Sequence, residues 1–180
     1  MRQPLIKLDY TPRTWQRECH IKKQRFSVYA LHRRSGKTEL AIMELIDKAM
    51  KTDKELAMFV YVAPFLRQAK AIAWARLKSK IEPLRRTSVI EINEGELSVR
   101  FKHNGAIIRL FGGVNPDAMR GLRLDGIVMD EVAQLKNELW TDIVQPALSD
   151  RLGWSIFIGT PSGINLFSEL YYKAIEEDDW

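Results

Sequence analysis

An α/β domain with a mostly parallel central sheet and helices on both faces is what this sequence predicts, and three observations predict it. Apolar runs that read as buried strands alternate with segments of helical period. A lysine-bearing glycine turn separates the first such strand from the first such helix, and a later apolar run stops abruptly at two carboxylates. On sheets of this kind ligands bind at the carboxyl ends of the strands, so polar residues collected at those ends mark the site.

The first strand is Phe26-Ser27-Val28-Tyr29-Ala30-Leu31. The helix after it runs from Thr38 to Met50, with apolar residues at Leu40, Ala41, Ile42, Leu45, Ile46 and Ala49. Between them lies His32-Arg33-Arg34-Ser35-Gly36-Lys37-Thr38, a phosphate-binding loop. Backbone N–H groups left unpaired at a helix start, from Ser35 and Gly36 onward, converge on nucleotide phosphates, and the helix dipole adds to the attraction. Gly36 lets the backbone come close, Lys37 reaches the outer phosphates and Thr38 offers a hydroxyl to Mg²⁺. Leu31 stands where the common pattern has its first glycine, so the assignment rests on context rather than on the pattern alone. Arg33 is a candidate for bidentate contact with the outer phosphates. Arg34 is included only as part of the loop, since a loop arginine is ordinarily solvated.

The acidic run is Leu124-Asp125-Gly126-Ile127-Val128-Met129-Asp130-Glu131, a buried parallel strand with its site at the C-terminal tip. Hard, strongly hydrated Mg²⁺ prefers oxygen ligands, which suits Asp130 to hold it through water. Glu131, beside the γ-phosphate, can then orient and deprotonate the attacking water. These parts specify a P-loop NTPase of the ASCE or RecA-like kind, with ATP and Mg²⁺ as its small-molecule requirements.

Leu56 to Ala63 reads as another buried strand closed by Pro64, and Phe65 to Ile81 as a helix with Arg67, Lys70, Trp74 and Lys78 along one side. That stripe either tracks a phosphate backbone or is a solvated face with Trp74 tucked into a neighbour. Ser88 to Ile92, Leu97 to Phe101 and Ala106 to Phe111 are short strands joined by Asn93-Glu94-Gly95 and His103-Asn104-Gly105, forming a β-hairpin addition at one sheet edge. Trp140 to Leu148 reads as a helix. Ser155-Ile156-Phe157-Ile158-Gly159 reads as a last buried strand, with Thr160 at its tip able to reach the γ-phosphate or the water and report hydrolysis.

The bulk numbers narrow the classes. With 180 residues the chain suits one domain, residues 1–180, and it contains no Pro/Gly/Ser linker or internal repeat. No apolar run approaches a membrane span and no signal peptide opens it, so no membrane partner is expected. One cysteine, Cys19, and three scattered histidines leave neither a disulfide nor a zinc constellation. The net charge of +5 is unevenly shared. Residues 1–90 carry 20 basic and 8 acidic side chains, a balance of +12, and residues 91–180 carry 8 and 15, a balance of −7. A basic half of this size is the footprint of a protein that handles nucleic acid.

In this order the pieces resemble the ATPase domain of the large terminase subunit, the motor that packages DNA into tailed-phage and herpesvirus capsids. The resemblance covers nearly the whole chain. It rests on the arginine-containing loop His32 to Thr38, the strand Ile127 to Glu131, and Gly159-Thr160-Pro161, which looks like the family's coupling motif. Thr11-Pro12-Arg13-Thr14-Trp15-Gln16 resembles the adenine-recognition segment, implying that Gln16 reads the base edge. Val62-Ala63-Pro64-Phe65-Leu66-Arg67-Gln68-Ala69 resembles the segment that follows the family's second strand. Asn115-Pro116-Asp117-Ala118-Met119-Arg120-Gly121 lies where such motors place an arginine finger, implying that Arg120 reaches a neighbouring subunit's nucleotide, with Arg123 as competitor. The resemblance further implies double-stranded DNA as substrate track, self-association into a ring on the portal, a small terminase subunit as partner, and the host cell cytoplasm as location. The nuclease domain that follows the motor in complete large terminases is not expected in these residues. A superfamily 2 helicase domain and a non-catalytic nucleotide-dependent DNA-binding or assembly subunit are the alternatives; the first needs a second ATPase-like domain and the second has no use for Glu131.

Overall fold

The computed structural model of the protein describes residues 8–177 and 180. Its strands are β1 (Phe26–Ala30), β2 (Met58–Ala63), β3 (Ile90–Asn93), β4 (Ser98–Phe101), β5 (Ile107–Gly112), β6 (Gly126–Asp130) and β7 (Trp154–Gly159). They make one sheet in the order β1-β7-β6-β2-β5-β4-β3. β1, β7, β6, β2 and β5 run parallel, while β4 is antiparallel to β5 and β3 antiparallel to β4. The expected edge addition is therefore the β3–β4 pair. β5 pairs in parallel with β2 from Met58↔Ile107 to Ala63↔Gly112 and so belongs to the main sheet.

Successive strand residues point to opposite faces, and both faces are covered, which is why the strands read as unbroken apolar runs. Phe59, Tyr61, Val128, Ile156 and Ile158 face one core, shared with α2 (Lys37–Lys51) and with Leu77, Ile81 and Leu84 of a long helix. Val60, Val62, Ile127, Met129 and Phe157 face the other, filled by Trp140, Ile143, Val144, Leu166 and Phe167. The second core takes the ring of Trp180 stacked on Phe157 at 5.6 Å.

The remaining helices are α1 (Thr14–Lys22), α3 (Leu66–Gln68), α4 (Ala75–Arg86), α5 (Gln145–Ser149) and α6 (Leu166–Glu176). α3 and α4 are joined by the π-helical segment Ala69–Trp74, and α5 is preceded by another, Leu139–Val144. The long helix thus passes the expected end at Ile81 and runs through Pro83, because Leu84 is still needed in the core. Gly112 lets this helix start against β5: a Cβ there would stand 2.6 Å from the Leu66 backbone nitrogen. α1 is fastened to α2 by Glu44, a buried acid whose two oxygens take His20 and Lys23.

At the end of the sheet away from the strand tips, Asp125 is 4% exposed. It accepts the Met58 N–H at 3.0 Å and Arg151 Nε at 2.7 Å, with Lys54 Nζ at 3.2 Å. Removing one partner of a buried, hydrogen-bonded charge cluster leaves the others uncompensated. Asp125→Ala is expected to cost about 2–3 kcal/mol, discounted because Lys54 and Arg151 are part-exposed. Urea unfolding should show it while nucleotide affinity of the folded protein stays unchanged; a loss under about 0.5 kcal/mol would mean the cluster is solvated in practice.

Candidate nucleotide site

Three chain segments meet at the carboxyl ends of β1, β7 and β6. β7 lies between β1 and β6, so Thr160, one residue beyond it, stands between the loop after β1 and the acids after β6. Lys37, 7% exposed, donates from Nζ to Thr160 Oγ1 at 3.0 Å and pairs with Glu131 Oε1 at 3.1 Å. The lysine, the acid and the threonine that the sequence singles out are thus brought into direct contact.

The loop is shaped for this by two residues with positive φ, Arg34 at 62° and Gly36 at 101°. Gly36 also needs to lack a Cβ, which would meet Gln16 Nε2 at 3.1 Å. Glu131 is not the last strand residue, since β6 ends at Asp130. It sits instead at φ 50°, ψ 48°, a left-handed conformation that turns its side chain back across the strand tips. For a residue with a Cβ this costs about 1–2 kcal/mol, which strained functional positions characteristically carry.

Asp130, 7% exposed, accepts the Glu131 N–H on Oδ1 at 2.9 Å and the Tyr61 hydroxyl on Oδ2. Burial pushes its carboxyl up to about 6. The Tyr61 hydrogen bond opposes that rise, and the neighbouring Glu131 carboxylate adds to it. Burial, and then the charge of Asp130, hold the Tyr61 hydroxyl well above its ordinary range, so it stays a donor. Asp130 at the end of β6 and the Thr38 hydroxyl in the first turn of α2 offer an all-oxygen donor set, which fits a hard cation such as Mg²⁺. Among the described residues no group of three or more His, Cys, Asp or Glu is clustered to hold a metal by itself.

A cavity of about 650 Å³ opens over this arrangement. Arg33, Arg34, Gly36, Lys37, Thr38 and Glu131 line it from the loop and the acidic tip, as the sequence suggests. Arg13 and Arg76 line it too, and the sequence reading gives neither a role. Arg13 donates to the Ser35 carbonyl at 2.8 Å. Arg76 comes from the long helix, where Gln68, Ile72 and Arg76 follow one another at four-residue spacing along the face that meets the cavity wall. Its place in the adenine-like segment is the one sequence signal for Arg13, and nothing local signals Arg76. Of the two readings of the stripe on the same helix, the tucked tryptophan is the one found: Trp74 is 2% exposed, with its indole N–H donated to Glu94 at 2.8 Å, and so offers no stacking face.

Gln16 does not line the cavity. It is 1% exposed, accepts the Arg13 N–H at 2.9 Å and donates to the Gly36 carbonyl at 3.1 Å, so its amide braces the loop. Ser35 is buried, and its hydroxyl finds no partner among the described residues. Arg120 lies outside the cavity. It follows the short 3₁₀ turn Pro116–Met119, is largely exposed, and pairs with Asp117; Arg123 is exposed beside it, 4.0 Å from Asp150. No described helix is long and apolar enough to cross a membrane.

Comparison with known proteins identifies the family and the fold. The family described as terminase large subunit, T4likevirus-type, N-terminal, matches residues 29–180. The large terminase subunit of Thermus phage G20c is 28% identical, aligned over 91% of this chain and 36% of its own length. The chain therefore spans little more than a third of that relative. The large terminase ATPase domain of Thermus phage P74-26 superposes with a TM-score of 0.81 at 27% identity, covering 91% of this chain and 70% of that one. The large terminase of another thermophilic bacteriophage, in complex with ATP-gamma-S, shares the fold at 19% identity and a TM-score of 0.68, over 92% of this chain and 41% of its own. The P-loop NTPase architecture expected from the sequence is the one found.

Proposed function

This chain belongs, over residues 29–180, to the family described as terminase large subunit, T4likevirus-type, N-terminal, and from that premise we propose that residues 1–180 are an ATP-hydrolysing motor domain that drives double-stranded DNA into a procapsid. The observation that carries the chemistry is the contact of Lys37 with both Glu131 and Thr160 beside a cavity rich in arginine. A buried lysine held between an acid and a hydroxyl is poised to exchange Glu131 for an outer phosphate oxygen when ATP enters.

In this reading the backbone from Ser35 to Thr38 cradles the phosphates, Arg33 forks onto the outer ones, and Lys37 neutralises charge that grows in the transition state. Arg34 and Gly36 shape the loop, and Gln16 holds it open through Gly36. Thr38 and Asp130 hold Mg²⁺, which when bound draws charge from the phosphate oxygens. Glu131, freed from Lys37, takes a proton from the attacking water. Thr160 loses its lysine contact in the same exchange, so the state of the nucleotide is passed to β7 and α6.

Arg120 is the arginine offered to a neighbour. Its exposure, and its place outside the chain's own cavity, support a role between subunits of a ring assembled on the portal. The small terminase subunit is a further partner and the host cell cytoplasm the setting. Phosphate release from ATP with Mg²⁺ tests the function, measured against protein concentration. Specific activity should climb as subunits associate, and Arg120→Ala should stay poor throughout, by about 10³-fold at saturation. No turnover with Mg²⁺ at any concentration would sink the ATPase reading. A flat profile that the substitution leaves alone would place the finger elsewhere, with Arg123 next to test.

A further inference from the structure

Tyr61 is 1% exposed in the middle of β2, where Phe59, Val60, Val62 and Ala63 are buried and apolar. Packing in that position asks for a ring and gives no use to a hydroxyl. A buried hydroxyl without a partner is costly, so one that persists in such a place is fixed by what it touches. This one donates to Asp130 Oδ2.

The position follows from the pleat. Tyr61 lies opposite Val128 in the β2–β6 register, and Val128 and Asp130 share a face, the one that α2 covers. Tyr61 therefore rises beneath the last residue of β6, and its hydroxyl reaches that residue's carboxylate.

We propose that Tyr61 is a positioning residue for the divalent cation: its hydroxyl locks the Asp130 carboxylate in the orientation that receives Mg²⁺ with ATP. This rests on the reading of Thr38 and Asp130 as the protein's share of the metal site. Asp130 is gripped at two points, Oδ2 by Tyr61 and Oδ1 by the Glu131 N–H at 2.9 Å. Each oxygen keeps a further lone pair to offer, and the plane of the carboxylate is set. The same grip fixes the start of the left-handed turn at Glu131, so one hydroxyl aligns the metal ligand and steadies the base next to it. Partners of this outer kind are commonly worth about tenfold or more in metal affinity.

The test compares the unmodified protein, Tyr61→Phe and Asp130→Asn by titrating fluorescent mant-ATP, first in EDTA and then with rising Mg²⁺. Tyr61→Phe should bind mant-ATP in EDTA within about twofold of the unmodified protein and melt cooperatively. The Mg²⁺ concentration that gives half of the metal-dependent tightening should rise about tenfold. Asp130→Asn should raise it further. If Tyr61→Phe keeps the original Mg²⁺ dependence while Asp130→Asn loses it, the positioning role is wrong and the metal site stands. A loss equal in EDTA and in Mg²⁺ would make the hydroxyl merely structural and overturn the proposal. If Asp130→Asn and the unmodified protein respond to Mg²⁺ alike, the metal assignment itself falls.

Discussion

Glu131→Gln is expected to leave a protein that binds ATP as well as the unmodified chain or better, and that hydrolyses it about 10²- to 10⁴-fold more slowly. The substitution keeps the shape of the side chain and removes its charge and basicity. Glu131 is 22% exposed in its side chain, too open for the change to threaten the core, and its backbone is held in place by the hydrogen bond to Asp130. Affinity should hold because in the nucleotide-free site the carboxylate competes for Lys37 at 3.1 Å, and the amide competes less. Single-turnover phosphate release, paired with nucleotide titration, separates the two effects. Turnover within about threefold of the original would remove Glu131 from its role as base.

Lys37→Ala should fail earlier in the cycle. The ammonium is buried among Glu131, Thr160 and the loop, and its loss takes away a charge-assisted contact to phosphate worth about 1.5–3 kcal/mol. ATP affinity is expected to fall by about 10- to 150-fold. Turnover at saturating ATP should fall further, because Lys37 also meets charge that develops only in the transition state. The contrast with Glu131→Gln is the informative part: one substitution leaves binding and removes chemistry, the other removes both. Unaltered affinity and turnover would discredit the phosphate loop.

Much of the fold is legible because it is written in local patterns. Strand β1, the loop and α2 follow one another within a short stretch, and their apolar periods of two and 3.6 are visible in any window of that length. The two-sided burial of β2, β6 and β7 leaves runs of apolar residues that read correctly as parallel strands. Local pattern leaves the use of the stripe Arg67, Lys70, Trp74 and Lys78 open between two readings, and packing against the β3–β4 turn chooses the tucked Trp74, while Arg76 reaches the cavity with no local signal. The family resemblance implies that Gln16 reads the base edge; the fold engages its amide with the Arg13 N–H on one side and the Gly36 carbonyl on the other, contacts that no local pattern announces.

The sequence by itself determined which residues would stand at the strand tips, because a lysine after a glycine turn and two acids after an apolar run can only be placed there by the strands that carry them. Tertiary structure alone decided what those residues touch. The insertion of β7 between β1 and β6 brings Thr160 to Lys37, a left-handed turn swings Glu131 to the same ammonium, and the β2–β6 register sets Tyr61 under Asp130. Such contacts join residues up to 123 positions apart. They depend on strand order, register and helix phase, which are fixed by the packing of the whole sheet and leave no trace in any one segment.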